Sequence, residues 1–330
     1  MADRKENSLL DILKFIAAVM ITASHCLPLV PNDSFNFYYG QWFFRFCVPL
    51  YFISSGFFFS SFQEEMRSTY IKRISAIYLL STLLYIPVFK TEGLTSIIRT
   101  SILGYHHLWY LSALLIALMI CHICTKIPFI DKIYNRVYPW MALVLIIIGA
   151  YFDEYQYAFT SLNDIPFIVF ANKAIQFIGG SRHALFFALP MILIGKFLEE
   201  HKIFFNASKT TCVTLLIVSF FVSLVECIIL RYYGGEDITC DITLFNYIPA
   251  VFLFILTFLH QPKAFSGTST RTLRKAADVL YISHVLILHA VDKVFEVEYL
   301  LRFLLVLVAS LIVSSLYVCL ERTKEKSSKR

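Results

Sequence analysis

Charged residues are scarce in this sequence. Asp, Glu, Lys and Arg make up 16% of its 330 residues, whereas 58% of the residues are hydrophobic. Soluble domains carry about a quarter charged residues, so the composition excludes that class of protein. Several apolar runs approach the ~20 residues that a membrane-spanning helix needs. We therefore predict an all-α, polytopic integral membrane protein, with one membrane domain over residues 1–330 and no sizeable soluble domain.

The sequence also lacks the cysteine spacing of a zinc site. Cys121 and Cys124 form a CxxC pair, but no second pair has zinc-ligand spacing, so we expect no metal or redox role. Most of the eight cysteines lie in apolar runs, where Cys behaves as a small hydrophobic residue. No linker divides the chain, and the first apolar run has no clear small-x-small cleavage site. We expect that first segment to be retained.

The apolar runs predict about ten membrane-spanning helices. Their approximate bounds are 9–29, 41–62, 74–89, 108–125, 139–152, 183–198, 211–231, 245–260, 276–292 and 300–320. A further apolar stretch, 165–178, is short and contains Asn172 and Lys173, so we interpret it as interfacial or re-entrant on the outer side. An eleventh span at that place would invert every later loop.

The distribution of basic residues predicts the orientation. Lys and Arg concentrate in the cytoplasmic loops of membrane proteins. With the N-terminus inside, 20 of the 29 Lys and Arg residues lie in inner segments, and eight lie in outer segments or span mouths. Both termini are therefore expected in the cytoplasm. The net charge of +6 follows the membrane and does not indicate a nucleic-acid partner.

Three ionisable side chains, Asp11, Lys14 and His25, interrupt the first span. Such groups are costly in a bilayer and usually face a protein interior or an aqueous cavity. Lys14 and His25 are eleven residues apart, so on a helix they point in nearly the same direction, about 16 Å apart along the axis. Asp11 lies three residues before Lys14, close enough to orient it as an ion pair. We predict that this helix face belongs to a functional site.

Other polar residues fall into two groups on the predicted topology. The outer group contains Arg45, His107, Arg182 and Glu226, and the inner group contains Arg67, Lys72 and Arg73. His284 falls in the middle of the ninth predicted span. Each also has a purely structural interpretation. Arginines at span ends can reach lipid headgroups, basic loops can enforce topology, and buried polar side chains can pair between helices.

Segments that contain these residues resemble the membrane acyltransferase-3 family of bacterial O-acyltransferases, over essentially the whole chain. The family's first-span signature, Arg, ten residues, then His, is matched in spacing by Lys14 and His25, with lysine in place of arginine. The other similar segments are residues 45–57, 70–74, 107–111, 182–187 and 281–284. In 182–187, His183 and Ala184 replace the family's Asn and Gly. A guanidinium binds oxygen pairs bidentately and an ammonium does not, so Lys14 is the departure that matters most.

The resemblance implies a membrane O-acyltransferase, with O-acetyl transfer as the default, in a bacterial plasma (inner) membrane. Cytoplasmic acyl-CoA (acetyl-CoA) would be the donor, and a hydroxyl of an envelope glycan or lipid-linked sugar on the outer side would be the acceptor. His25 would act as general base or transient acyl carrier, beside Lys14 and Asp11. Donor binding is expected from Lys14, Arg67, Lys72 and Arg73. Acceptor-side residues would be Arg45, His107, Trp109, Arg182 and Glu226, with His284 as a further candidate.

Two other functions stay open at this stage. The membrane domains attached to serine racemases in vancomycin resistance have similar segments, and they are thought to handle a free amino acid. A transporter or small-molecule-binding domain is therefore the alternative, because a polar cavity lined by His25, Arg45 and Glu226 would also suit a zwitterion, and Lys14 favours it. A structural partner of a glycan-assembly complex is the third possibility, but it leaves the aligned Lys14 and His25 unexplained.

Overall fold

The computed structural model describes residues 7–89, 93–259 and 268–327. No β-strand occurs in these ranges. The helices are α1 Ser8–His25, α2 Asp33–Ser60, α3 Glu64–Val88, α4 Leu94–Leu103, α5 His106–Lys126, α6 Pro128–Ala158, α7 Pro166–Phe177, α8 Leu189–Glu200, α9 Lys209–Asp237, α10 Ile248–Leu259, α11 Thr268–Val294 and α12 Tyr299–Ser327.

Seven of these helices are long and apolar enough to cross a membrane, namely α1, α2, α3, α5, α6, α9 and α12. They coincide with seven of the ten predicted spans, and an all-α, multi-pass membrane architecture is therefore confirmed. The other three predicted spans are helical but do not meet both conditions. Helices α8 and α10 have 12 residues each, and α11 has 27 residues but begins with a polar stretch. The count of ten and the cytoplasmic termini remain predictions.

The stretch 165–178 forms the short helix α7. Its 12 residues extend about 18 Å, which is less than the ~30 Å hydrocarbon core of a bilayer. Phe167, Phe170 and Phe177 lie on one side of α7 and are at least 71% exposed. Asn172 and Lys173 line a surface pocket beside it. A short helix with one aromatic side agrees with the interfacial interpretation of this stretch.

Helices α1 and α11 pack side by side and run parallel. Near their first turns, Asp11 is 3.8 Å from Arg274. In the middle, Ala18 packs against Leu280, and at the far end His25 faces His284. Residue numbers rise together along both helices, as expected if the first and ninth predicted spans cross in the same direction. This pairing brings the beginning of the chain into contact with a segment more than 250 residues away.

Helices α2 and α8 approach so closely that their contact requires glycine on both sides. A Cβ added to Gly56 would lie 2.2 Å from the carbonyl oxygen of Ile192, and one added to Gly195 would lie 2.2 Å from that of Ile53. Small residues allow such backbone contact between membrane helices, where dispersion attraction is a main source of stability. The contact holds α8 against the centre of the bundle despite its short length.

We expect Gly56→Ala and Gly195→Ala each to destabilise the protein by about 1–3 kcal/mol, since a backbone carbonyl cannot move aside for the new methyl group. Thermal unfolding of the purified protein in detergent measures the effect. Gly234→Ala is the comparison variant and should cost less, because the atoms nearest to a Cβ there belong to the side chains of Ile238 (2.6 Å) and Tyr157 (3.2 Å) and not to the backbone. Equal unfolding temperatures for all three variants would contradict the prediction.

Candidate functional site

Five imidazoles meet at one end of α1. The ring of His25, the last residue of α1, is 5.2 Å from that of His284 on α11. The rings of His106 and His107, at the start of α5, are 6.1 and 6.2 Å from His25. His289, further along α11, is 5.9 Å from His106. We call these five residues the histidine cluster; it unites three helices that are distant in sequence.

A tight turn before α5 places two of these histidines. Gly104 has a φ of 92°, and a Cβ there would lie 2.4 Å from the backbone nitrogen of Trp109, so the position requires glycine. His106 also has a positive φ, 48°, which is strained for a residue with a side chain, and such strain is frequent at functional sites. Trp109 points away from the cluster and stacks on Phe187 in the core.

Buried polar atoms around His25 have no hydrogen-bond partner within the described ranges. They are the Nε2 of His284 and the Nε of Arg45. The His107 ring, in contrast, lies within hydrogen-bonding reach of the Ile282 backbone. His107 is 2% exposed and His284 0%, whereas His25 is half-buried. Most buried polar atoms in proteins are hydrogen-bonded, so the two unpartnered ones beside His25 are exceptions to that rule.

A second polar group lies at the other end of α1. Asp278 on α11 is exposed, and it lies within electrostatic range of Lys14, Arg73, Arg274 and Asp11. We call these five residues the Asp278 group. The Tyr51 hydroxyl donates a 2.5 Å hydrogen bond to the carbonyl of Lys14, and the Lys14 ammonium lies 5.8 Å from the Tyr51 ring.

The two groups lie at opposite ends of the same pair of helices. Helix α1 is continuous from Ser8 to His25, so Lys14 and His25 are separated by about 16 Å along it. Sequence reasoning missed Arg274 and Asp278, although Asp278 and His289 have the same eleven-residue spacing as Lys14 and His25. The sequence also did not predict that Asp11 pairs with Arg274.

The three basic residues predicted on the inner side differ in their contacts. Arg67 donates from Nε to the carbonyl of Phe59 (3.2 Å) and from Nη2 to that of Ser60 (2.9 Å). These bonds satisfy the last carbonyls of α2, which is a common role for a basic side chain at a helix end. Lys72 is exposed and Arg73 belongs to the Asp278 group. Of the three residues predicted to bind donor phosphates, Arg73 therefore lies with Lys14, and Arg67 is engaged elsewhere.

Arg45 and Arg182, which the sequence predicts on the outer side, belong to an ion-pair network. Arg45 forms an ion pair with Asp241 and donates to the carbonyl of Thr239 at 3.4 Å. Arg182 donates to Asp153 at 2.8 Å and also forms an ion pair with Asp241. Arg45 thereby attaches the segment after α9 to α2, and Arg182 links the same segment to Asp153 near the end of α6.

Three carboxylates of this network, Asp153, Glu154 and Asp241, have oxygens within 4.8 Å of one another. Carboxylate oxygens suit hard cations. Here, however, they already accept from Arg182, from Thr239 and from the backbone N–H groups of Asp241 and Ile242. We therefore describe this cluster as an ion-pair network rather than an open cation site.

Glu226, predicted on the acceptor side, is fully engaged with the protein. It accepts from the hydroxyls of Tyr155 and Thr243, both at 2.6 Å, and from the backbone N–H groups of Leu244 (2.6 Å) and Phe245 (2.9 Å). Four donors for one carboxylate make it an anchor for the segment that leads into α10. No contact joins it to His25 within the described residues.

The expectation that the cysteines act only as small hydrophobic residues is wrong for two of them. Cys227 and Cys240 form a disulfide, with Cα atoms 6.1 Å apart, next to Glu226 and Thr239. Disulfides persist outside the reducing cytosol. The bond therefore favours the outer side for the end of α9 and for the histidine cluster's end of the bundle. The sequence missed it because the two residues become neighbours only when the segment folds back on α9.

Comparison with known proteins finds one matching family model and several similar proteins. The family model described as "Acyltransferase domain" matches residues 7–319. An amino-acid racemase of Enterococcus faecalis is 30% identical over 213 residues, covering 61% of this chain and 29% of that protein. A serine/alanine racemase of Enterococcus gallinarum is 25% identical, covering 77% and 37%, and a second E. faecalis amino-acid racemase is 26% identical, covering 97% and 47%. The chain spans less than half the length of these relatives. No solved structure matches.

We expect Glu226→Ala to destabilise the protein by on the order of 3 kcal/mol, because buried donors from Tyr155, Thr243 and the backbone lose their acceptor. Thermal unfolding measures the loss. Glu236→Ala is the control, because Glu236 is an exposed glutamate at the end of α9. An unchanged unfolding temperature for Glu226→Ala would show that the segment is held without this carboxylate.

The orientation predicts where a reporter thiol can be labelled. Glu236→Cys should react with a membrane-impermeant maleimide in intact cells, since position 236 is exposed and close to the disulfide. Lys132→Cys, in a predicted inner loop, should react only after the cells are opened. Mass spectrometry of the purified variants detects both adducts. The reverse labelling pattern would invert the topology.

Proposed function

Because the chain belongs to the acyltransferase 3 family, we propose that it moves an acyl group, by default acetyl, from cytoplasmic acyl-CoA to a hydroxyl on the outer side of a bacterial plasma membrane. The acceptor is an envelope glycan or a lipid-linked sugar. The family match over residues 7–319 and the seven apolar helices support a membrane acyltransferase. The donor, the acceptor and the roles of individual residues belong to the proposal.

The observation that carries the proposal is the surroundings of His25. Its half-buried imidazole lies beside two buried imidazoles, His107 and His284, and the unpartnered Nε2 of His284 leaves hydrogen-bonding capacity on this side of the ring. Histidine accepts and returns protons near neutral pH. An imidazole enclosed by a polar but unsatisfied wall is a suitable general base for acyl transfer.

The donor would enter at the Asp278 group. Lys14, Arg73 and Arg274 bring three positive charges against the carboxylates of Asp11 and Asp278, so the group favours an anionic ligand such as the CoA phosphates. The separation of about 16 Å between Lys14 and His25 suits the extended pantetheine arm. The thioester would then lie beside His25.

The reaction would take place at His25. A free ring nitrogen of His25 accepts the proton of the acceptor hydroxyl, and the oxygen forms a bond to the thioester carbonyl carbon. The carbon–sulfur bond breaks, and the proton passes from His25 to the thiolate, which leaves as CoA thiol. A transient acyl-His25 is the other route, and it gives the same products. The Nε–H of Arg45, which is unpartnered and lies within electrostatic range of His25, is available to the substrate.

A second candidate function is the binding or transport of a small amino acid. The observation that favours it is the similarity to parts of three proteins named as amino-acid or serine/alanine racemases. An amino acid carries a carboxylate and an ammonium, and both the Asp278 group and Arg45 offer partners for such charges. Under this hypothesis the histidine cluster would serve binding and not group transfer.

Thermal unfolding in nanodiscs separates the two candidates. Acetyl-CoA should raise the unfolding temperature of the wild-type protein in a concentration-dependent way, because a ligand that binds only the folded state stabilises it. Lys14→Ala and Arg73→Ala should weaken this response about tenfold or more in ligand concentration, a loss of roughly 1.4 kcal/mol of binding free energy. Lys132→Ala is the control. His25→Ala should still bind acetyl-CoA but release no CoA thiol from it.

A response to L-serine with none to acetyl-CoA would contradict acyl transfer and support the second candidate. Full thiol release by His25→Ala would remove His25 from the catalytic role while leaving the donor site intact.

A further inference from the structure

We propose that His284 is the positioning residue of His25: its Nε2, unpartnered among the described residues, accepts a hydrogen bond from the N–H of His25 once the His25 ring turns toward it in the substrate complex, and this bond fixes the tautomer of the reactive imidazole. The proposal deepens the function proposed above and rests on it. It assigns to an uncharged imidazole the role that a carboxylate has in a Ser-His-Asp triad.

The tautomer of His284 follows from its contacts. Its Nδ1 lies 2.8 Å from the carbonyl oxygen of Tyr281 and 3.2 Å from that of Leu280. A carbonyl oxygen can only accept, so Nδ1 carries the proton and donates. The Nε2 of the neutral ring is then an acceptor with a fixed direction. That atom is buried and has no partner within the described part of the chain.

Position favours His25 as the donor to this lone pair. Two imidazoles are near His284, with ring centroids at 4.8 Å for His107 and 5.2 Å for His25. A separation of 5.2 Å leaves room for one N–H···N hydrogen bond of about 2.9–3.0 Å between the ring edges. His107 is enclosed by the rings of Tyr85 and Tyr281. His25 is the accessible member, so a bond from one nitrogen to His284 leaves its other nitrogen for the substrate.

No carboxylate takes this role in the described structure. The charged and titratable groups near His25 are His284, His106, His107 and Arg45. Asp241 is paired with Arg45 and Arg182, and Glu226 accepts four hydrogen bonds elsewhere. An uncharged partner does not stabilise the imidazolium form as an anion would.

During the reaction His284 keeps its own proton. His25 accepts the hydroxyl proton on its free nitrogen and passes it to the departing thiolate, while His284 holds the opposite N–H in place. Losing His284 lets the His25 ring rotate and exchange tautomers, and the lone pair then points at the acceptor only part of the time.

The first test measures the acid–base behaviour of His25 without requiring catalysis. The proteins, in nanodiscs, are carbethoxylated with diethyl pyrocarbonate across a pH series, and mass spectrometry quantifies the adduct on His25. His284→Glu should raise the apparent pKa of His25 by about one unit, because a neighbouring carboxylate favours the protonated ring. His289→Glu is the matched control: His289 lies on the same helix with its Nδ1 2.7 Å from the Val285 carbonyl, but its ring contacts His106 and not His25.

The second test measures turnover as release of CoA thiol from acetyl-CoA in inside-out membrane vesicles of the bacterium that carries this gene, whose envelope glycans and lipid-linked sugars supply the acceptor hydroxyl. His284→Ala should lower kcat by on the order of 10²–10⁴-fold, as expected when the orientation of a catalytic histidine is lost, and KM for acetyl-CoA should stay within about twofold. His284→Gln, whose side-chain carbonyl can accept the same N–H, should recover part of the rate. The unfolding temperature of each variant shows whether it is folded.

The outcomes distinguish failure of the positioning role of His284 from failure of the proposed acyl transfer. An unshifted His25 titration in folded His284→Glu, or a kcat of His284→Ala within threefold of the wild-type value, overturns the positioning role. If the wild-type protein neither binds acetyl-CoA nor releases thiol, acyl transfer fails and the catalytic part of the inference with it. The titration still decides whether His284 and His25 share a hydrogen bond.

Discussion

The parallel contact between α1 and α11 is the interaction on which both ends of the site depend. At one end it places Asp278 and Arg274 beside Lys14 and Asp11, and at the other it places His284 beside His25. Ionisable groups in a membrane-embedded helix are costly unless they find each other or water. Packing α1 against α11 brings such groups together at both ends of the pair, with the apolar contact of Ala18 and Leu280 between them.

A second constraint holds the histidine cluster's end of the bundle in place. The segment between α9 and α10 contains Thr239, Asp241 and Thr243, and it is attached by the Cys227–Cys240 disulfide, by Glu226 and by two arginines. Such irregular backbone needs internal partners wherever it is shielded from water. Charges that the sequence suggested for acceptor binding are therefore used largely to fix this segment. Arg45 helps to fix this segment through Asp241, and its Nε also remains unpartnered near His25.

The sequence predicted what depends on local pattern. Apolar length identified seven helices, and helical periodicity aligned Lys14 with His25, because both properties are contained within one segment. Contacts between segments could not be predicted in this way. The partner of Asp11 is 263 positions away at Arg274, and the disulfide joins a helix to a loop. The ten-span count also depends on whether short or polar helices such as α8 and α11 cross the membrane with support from neighbours, which composition alone does not decide.

The substitution of lysine at position 14 is understandable in this setting. An isolated ammonium cannot bind a pair of oxygens as a guanidinium does. Within the Asp278 group, however, Arg73 and Arg274 supply two guanidinium groups beside Lys14. Three cations against two carboxylates leave one excess positive charge, enough to favour an anion without making the group repel itself. If this end binds the donor as proposed, planar recognition of its oxygens falls to the guanidinium groups on α3 and α11, and it then depends on how those two helices pack against α1.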